Sequence, residues 1–332
     1  MLKSVTISPY KENSPAGEKA RWIAMSLEQY DRIHNTNSSI YQEDGDYGQF
    51  ESTQMKTPDF CIQYVKPLDF VKTPYKNIGI FEPTLKGVPY EKNVINLLDN
   101  VLVYSEAQKK ALPEIIRNKC SVIRPTMVPL AGQPEMKKVF SKFLFYTSAI
   151  EEHTNIDMVI LAYLSSFTIN DNVKLSVLCD NTEELLHFIN KSKESLGLYK
   201  KVPLYPEIEL RTDPSAHGSC HCFIDASMDY NISIHTMLAV ASCNPIVTSG
   251  SDGLFEWVDK ESCYSIDSHE GSRNSYLIGS VPDYLSLKES LLEAFNNRKS
   301  FGEKQDKMIK DCHKSFYDKK EGSIGDVLCS LS

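Results

Sequence analysis

Three features that would assign a chain to a specialised class are missing from this sequence. No apolar run approaches the ~20 residues that a membrane-spanning helix needs. Residues 1–5 show no apolar core or cleavage site of a secretory signal peptide. The nine cysteines are an odd number scattered over 332 residues, which argues against a disulfide framework. Free thiols are typical of a reducing compartment, so we expect a cytoplasmic protein.

Positive charge is also scarce. Thirty-six lysines and arginines face 44 aspartates and glutamates, which gives a formal net charge of −8. Proteins that mainly bind nucleic-acid backbones usually carry the opposite charge. The remaining composition, 41% hydrophobic and 24% charged, is ordinary for a globular protein and excludes wholesale disorder.

Strand-like apolar runs alternate with helix-like segments along the chain. The runs that predict strands are 4–8, 60–65, 77–81, 100–104, 121–124, 143–147, 174–178, 222–225 and 245–248. The segments that predict helices are 18–30, 105–118, 155–167, 182–195, 232–242 and most of 286–317. This alternation predicts an α/β protein with two doubly wound domains.

The segment 125–134, with prolines at 125, 129 and 134, predicts an interdomain linker. We therefore expect an N-terminal Rossmann-like domain over 1–130 and a C-terminal one over 135–285. A helical segment over 286–332 is expected to pack back on the first domain. Residues 34–58 are polar and predict a long surface loop with at most one weak strand.

Four segments, taken in order, resemble the retaining nucleotide-sugar glycosyltransferases of the GT-B fold. They are the strand and glycine loop 7–17, the segments 59–67 and 77–82, the stretch 99–106 with 121–125, and the block 224–230, 239–249 and 252–256. The resemblance covers most of residues 4–266. It implies two Rossmann-like domains facing a cleft, a nucleotide sugar as co-substrate, and no metal or other cofactor.

The resemblance also implies a set of site residues. Asp229 and Glu256 are the predicted catalytic carboxylates, and Asp229 follows a strand at the edge where α/β sheets bind ligands. The predicted contacts with the nucleotide sugar are Gly17, His153, Ser251, Asp252 and Gly253. Structural alternatives stay open: Asp229 is also a good helix N-cap, and Gly250 and Gly253 also suit a tight strand–helix turn.

The sequence departs from the family pattern in two places. Aligned on Pro245, Tyr230 and Leu238 stand where the family has two glutamates. Residues 148–155 contain Glu151 and Glu152 but none of the arginine or lysine that binds the diphosphate in the family. Carboxylates there repel a phosphate, whereas a protonated His153 attracts it.

These departures leave two alternatives to a glycosyltransferase with an unidentified acceptor (glycan, lipid-linked sugar, protein or modified DNA base). The first is a GT-B-shaped binding protein without catalysis. The second is a viral-type enzyme that glycosylates a hydroxylated DNA base, with Lys66, Lys72 and Lys76 as its basic patch.

One further cluster allows two interpretations. His217, Cys220, His221 and Cys222 include a C-x-C pair with neighbouring histidines, which suits zinc. Because alternate residues of a strand share a face, His221 points away from the two thiols, and buried structural cysteines are the other reading.

Overall fold

The computed structural model describes residues 2–8, 15–28, 32–38, 58–65, 69–80, 96–125, 142–149, 154–197, 204–212, 220–228, 230–272, 278–316 and 322–332. The chain divides into two compact units. Unit 1 comprises Met1–Val128, Tyr230–Ile234 and Phe316–Ser332, and unit 2 comprises Pro129–Asp229 and His235–Ser315. Except for Pro125, the predicted linker 125–134 lies outside the described residues.

Helices and strands are named here in chain order. They are β1 (Leu2–Ile7), α1 (Pro15–Glu28), β2 (Ile33–Ser38), β3 (Phe60–Gln63), β4 (Lys76–Ile80), β5 (Asn100–Val103), α2 (Glu106–Ala111), α3 (Glu114–Arg117), β6 (Cys120–Val122), β7 (Phe143–Ser148), α4 (Ile156–Ser166), β8 (Val173–Leu178), α5 (Thr182–Gly197), β9 (Glu207–Arg211), β10 (Cys222–Asp225), α6 (Ile234–Ala241), β11 (Ile246–Thr248), β12 (Tyr264–Ser265), β13 (Ser268–Ser272), β14 (Ile278–Pro282), α7 (Tyr284–Asn296), α8 (Arg298–Phe316) and α9 (Ile324–Leu331). Among the helices of the described ranges, none is long and apolar enough to cross a lipid bilayer.

Unit 1 is built on a parallel sheet with the strand order β2-β1-β3-β4-β5-β6. Consecutive residues of β5, from Val101 to Val103, are fully buried, as expected for a parallel strand covered on both faces. Gln63 at the end of β3 is also fully buried, and its amide exchanges hydrogen bonds with the backbone of Val71 (2.8 and 2.9 Å). This side chain therefore holds the following loop against the sheet.

Unit 2 has a second parallel sheet, in the order β12-β11-β10-β7-β8-β9. Its core is rich in aromatic rings from β7, α4 and the C-terminal helices, and α4 packs against α5 and α7. Phe143 contacts Phe145, Phe295 and Phe301 with ring centroids 4.8 to 6.0 Å apart. An antiparallel pair, β13 and β14, lies between β12 and α7 in the chain.

The doubly wound α/β fold predicted from the alternation is confirmed, but several elements differ. The single helix predicted over 105–118 is wrong: α2 ends before Leu112, whose extended backbone (φ −78°, ψ 148°) is what the following Pro113 demands. β2 lies at the start of the polar segment 34–58, for which one strand was allowed, whereas β9 was not predicted. The helical stretch predicted over 286–317 contains two helices within its described residues, α7 and α8, separated at Asn297.

Candidate functional site

The order in which the chain adds strands to the unit 2 sheet changes direction between the neighbouring strands β7 and β10. From β7 the chain winds outward through β8 and β9, and from β10 it winds the other way through β11 and β12. In doubly wound sheets, ligands bind at such a switch point, outside the carboxyl ends of the strands. In unit 2 this edge carries Ser148, Asp225 and Thr248, the last residues of β7, β10 and β11.

Asp225 joins the end of β10 to the first turn of α6. Its Oδ1 accepts a hydrogen bond from the Ser227 backbone N–H (3.0 Å), and its Oδ2 accepts from the Thr236 hydroxyl (2.5 Å). Asp225 and Thr236 are both buried, so these charge-assisted bonds lie away from water. The carboxylate thus sets the path of the chain where it leaves the sheet.

Asn155 joins the start of α4 to the segment that follows β10. Its Nδ2 donates to the Ala226 carbonyl oxygen at 2.7 Å, and both residues are buried. The backbone of Asn155 is left-handed (φ 49°, ψ 38°), a conformation that asparagine tolerates better than most residues. The two loops at the switch point are therefore tied to each other by a side chain.

The loop after β11 is held by bonds within itself. Its backbone N–H groups donate to acceptors in or next to the loop: Gly250 N to Thr248 Oγ1 (3.0 Å), Ser251 N to Ser249 Oγ (3.4 Å), Gly253 N to Gly250 O (3.1 Å) and Leu254 N to Asp252 Oδ1 (2.9 Å). The hydroxyls of Ser249 and Ser251 lie 3.0 Å apart on half-buried residues. A ligand at this loop therefore meets hydroxyl groups more readily than unused amides.

Two glycines shape the same loop. Gly250 and Gly253 both have positive φ, 64° and 89°. At Gly250 there is also no space, because an added Cβ would lie 2.2 Å from the Phe255 ring. These angles are what the tight-turn interpretation of the glycines requires.

The structure brings together three of the residues predicted to hold the nucleotide sugar: Ser251, Asp252 and Gly253. Asp252 is 2% exposed. Glu256 is exposed in the short 3₁₀ turn Leu254–Glu256 that follows directly. The roles assigned to these residues stay predictions.

The other predicted site residues lie elsewhere. Gly17 is buried in α1 of unit 1. Asp229 and His153 lie outside the described residues. Asp225, Thr236 and Asn155, by contrast, were missed, although polar residues at the ends of apolar strands and the starts of helices are a signal that sequence reasoning can use.

Residues Tyr230–Ile234, which follow Asp229 in the chain, belong to unit 1. Lys19 of α1 is 6% exposed, and its Nζ donates to the Ile232 carbonyl oxygen at 3.1 Å. Gln108 of α2 donates from Nε2 to Asn231 Oδ1, also at 3.1 Å. Two buried side chains therefore hold this short segment.

Three of the four residues that allowed a zinc or a buried-thiol interpretation are among the described residues: Cys220, His221 and Cys222. Cys220 and Cys222 are fully buried, and burial raises the pKa of the Cys222 thiol well above its usual range. His221 accepts a hydrogen bond at Nδ1 from the Leu144 N–H (2.9 Å) and stacks on Phe143. Within the described ranges, which exclude His217, no three metal-binding side chains come together. The geometry supports structural thiols.

No protein-family model and no curated protein matches the sequence. Solved structures do match: HepE from Anabaena in complex with UDP aligns over 100% of this chain and 99% of its own, at 11% identity and a TM-score of 0.61. Sucrose-phosphate synthase from Thermosynechococcus elongatus aligns over 100% and 97%, at 9% identity and a TM-score of 0.63.

The fold is GT-B. A third GT-B structure, Staphylococcus aureus TarM, matches 82% of this chain at 15% identity and a TM-score of 0.57. The chain spans about half of TarM, since 54% of that protein is covered. Structural matches at identities this low show the fold alone. The GT-B fold expected from the sequence is therefore confirmed, and the activity is argued below.

Proposed function

We propose that the chain is a glycosyltransferase that transfers a sugar from a UDP-sugar to an acceptor, with retention of configuration at the anomeric carbon. The observation that carries the proposal is the cluster of polar side chains at the switch point of unit 2, in a GT-B fold. HepE, which aligns along the whole chain, has been solved with UDP and with UDP-glucose.

The chemistry requires a site that accepts negative charge. When the bond between sugar and diphosphate breaks, charge develops on the leaving phosphate. The helix α4 is the next element after β7, and Asn155 at its amino-terminal end bonds to Ala226 at the switch point. Such helix ends attract phosphate through their N–H groups and dipole. We assign the diphosphate to this end, with His153 as an additional donor. The hydroxyls of Ser249 and Ser251 supply further hydrogen bonds.

The sugar is assigned to the carboxylates of the same edge. Asp229 and Glu256 stabilise positive charge at the anomeric carbon in this proposal. Ser251, Asp252 and Gly253 position the donor, because their loop follows β11, the strand next to β10. No metal is required in this scheme, since the amino-terminal end of α4 and the serine hydroxyls bind the negatively charged diphosphate.

A panel of UDP, UDP-glucose and other nucleotide sugars tests the proposal by thermal shift and by donor hydrolysis. A ligand at 100 times its Kd stabilises the protein by about 2.7 kcal/mol. For a unit of about 180 residues this raises the melting temperature by roughly 5–11 °C. Absence of any shift across the panel contradicts the proposal.

Variants assign the roles. Glu256→Gln and Asp229→Asn are expected to lower donor hydrolysis at least tenfold while the protein stays folded. Glu289→Gln is the matched control, because Glu289 is an exposed carboxylate of α7. If the three variants hydrolyse the donor at equal rates, neither Asp229 nor Glu256 takes part in the reaction.

A nucleotide-sugar-binding protein without catalysis is the second candidate. Two observations favour it: Leu238, in α6, stands where the family has a glutamate, and residues 148–155 contain no arginine or lysine. Binding of UDP-glucose without detectable transfer or hydrolysis supports this candidate over the enzyme.

A further inference from the structure

The β13–β14 hairpin lies between β12 and α7 and is closed at its base by a hydrogen bond from Asp283 N–H to the Asp267 carbonyl oxygen (2.7 Å). Its two strands differ in exposure. Residues 268–270 of β13 are exposed, whereas Gly279 of β14 is buried. Gly271 stands directly opposite Gly279 in the pairing. One strand therefore faces water and the other packs on unit 2.

Gly279 packs on the backbone of Met228. A Cβ added at Gly279 would lie 2.4 Å from the Met228 carbonyl oxygen and 3.2 Å from its Cβ. The next residue, Ser280, donates its backbone N–H to the same oxygen (3.3 Å). Gly279 does not have a positive φ, so space and not backbone conformation requires a glycine here.

This contact falls on the segment 226–228, which leaves β10 at the switch point. Each residue of the segment is held by a different part of unit 2. Asn155 binds the Ala226 carbonyl oxygen, Asp225 binds the Ser227 N–H, and β14 binds the Met228 carbonyl oxygen. The segment ends directly before Asp229 in the chain.

We propose that Gly279 is a positioning residue for the donor site: its lack of a side chain lets β14 lie against the Met228 carbonyl and hold the segment before Asp229 in place. The inference rests on the proposed function, which puts the donor sugar at this edge. In this proposal the β13–β14 hairpin supports the segment 226–228 and, through it, the donor site.

Gly279→Ala is the test, and Gly271→Ala is its control on the facing strand. The new Cβ at Gly279 meets a backbone oxygen that cannot move without shifting residues 226–228. The nearest contacts of the new Cβ at Gly271 are with side chains and not with backbone: the end of Val281 at 3.0 Å and the His269 ring at 3.6 Å. Hydrogen exchange of the ligand-free protein measures the position of the segment, and calorimetry measures affinity for UDP-glucose.

We expect Gly279→Ala to speed amide exchange at 226–228 at least tenfold and to weaken UDP-glucose binding at least fivefold. Gly271→Ala is expected to stay within twofold of wild type in both. Unchanged exchange at 226–228 in Gly279→Ala overturns the proposal, as does wild-type affinity for UDP-glucose in that variant.

A second variant keeps the proposal testable if Gly279→Ala does not fold. Ser280→Pro removes the N–H that bonds to Met228 and adds no atom at Gly279. This N–H points away from β13, so its loss removes no backbone hydrogen bond between the two strands. The exposed hydroxyl bond from Ser280 to Ser268 (2.7 Å) is lost as well, and Ser280→Ala is the control for that loss. Ser280→Pro is expected to change exchange and affinity in the same direction, and wild-type values in both overturn the proposal. A wild-type protein without affinity for UDP-glucose contradicts the proposed function instead, while the exchange comparison still decides the role of Gly279.

Discussion

Replacement of Asn155 tests how the two loops of the switch point are held together. In Asn155→Ala the bond to the Ala226 carbonyl is lost, and a residue without a polar side chain is forced into a left-handed backbone. Asn155→Gly loses the same bond but accepts the backbone conformation freely. The pair of variants therefore separates the hydrogen bond from the backbone strain.

The expected magnitude follows from burial. Asn155 is 3% exposed and Ala226 is 1% exposed, so water does not replace the lost donor. A buried acceptor left without its donor costs about 1–3 kcal/mol. The left-handed backbone adds about 1 kcal/mol for alanine. Asn155→Ala is thus expected to lose about 3 kcal/mol of unfolding free energy, and Asn155→Gly about 2 kcal/mol.

The assay uses the two tryptophans of the chain, Trp22 and Trp257, which lie in different units. In a Trp22→Phe background, fluorescence during urea unfolding reports unit 2 alone. Asn170→Ala is the control, since Asn170 is exposed, and it is expected to stay within about 0.5 kcal/mol of the background protein. If both variants of Asn155 stay within that range, the reasoning about the buried bond is refuted. If the alanine and glycine variants are equal, the strain component is refuted.

Three further outcomes are expected. Gly250→Ala is expected to lower the urea midpoint, because its backbone has φ 64° and its new Cβ would lie 2.2 Å from an aromatic ring. Gly302→Ala inside α8, whose new Cβ would have nothing within 4 Å, is expected to raise the unfolding free energy by about 1 kcal/mol. The Lys174 ammonium, 2.9 Å from the Glu209 carboxylate, holds the pKa of that carboxyl below its ordinary value of 4.5. The stability this adds is present above pH ~4.5 and is lost as the pH falls. Lys174→Met also loses the ion pair with Glu207 (3.3 Å), whose pKa is lowered by Lys142 and by the same ammonium. The difference in unfolding free energy between wild type and Lys174→Met, at most about 1 kcal/mol for such exposed pairs, is therefore expected to shrink in urea titrations as the pH falls below ~4.5, and a constant difference contradicts the prediction. Of the nine thiols, eight are buried and Cys329 is half-buried. One thiol is therefore expected to react rapidly with Ellman's reagent before unfolding and the other eight after it, and several fast thiols in native protein contradict the buried geometry.

Much of unit 2 was accessible from local sequence pattern. Residues 143–147, 174–178 and 222–225 are apolar runs bounded by helical segments, and each became a central strand, because burial on both faces demands such runs. β9 was missed for the converse reason. It is an edge strand whose charged residues Glu207, Glu209 and Arg211 stay partly exposed, so its pattern lacks a continuous apolar run.

The candidate site was less accessible than the fold. The glycines after β11 were singled out correctly as turn formers, since positive φ is a local property. The link between Asn155 and Ala226 spans 71 positions in the chain, and the link between Gly279 and Met228 spans 51. No local sequence pattern predicts such a contact, because the contact depends on how distant strands and loops pack together.

The sequence by itself determined the class of the protein: an acidic α/β chain without a disulfide framework, with two sets of parallel strands and small residues in the turn after β11. Hydrophobic periodicity and turn chemistry are local, so they can be read from the residues directly. Only the tertiary structure decided the strand order of each sheet and thereby the switch point between β7 and β10. It also decided that Asp225, Asn155 and Gly279 hold the segment before Asp229, because strand order and packing arise from contacts between residues far apart in the chain.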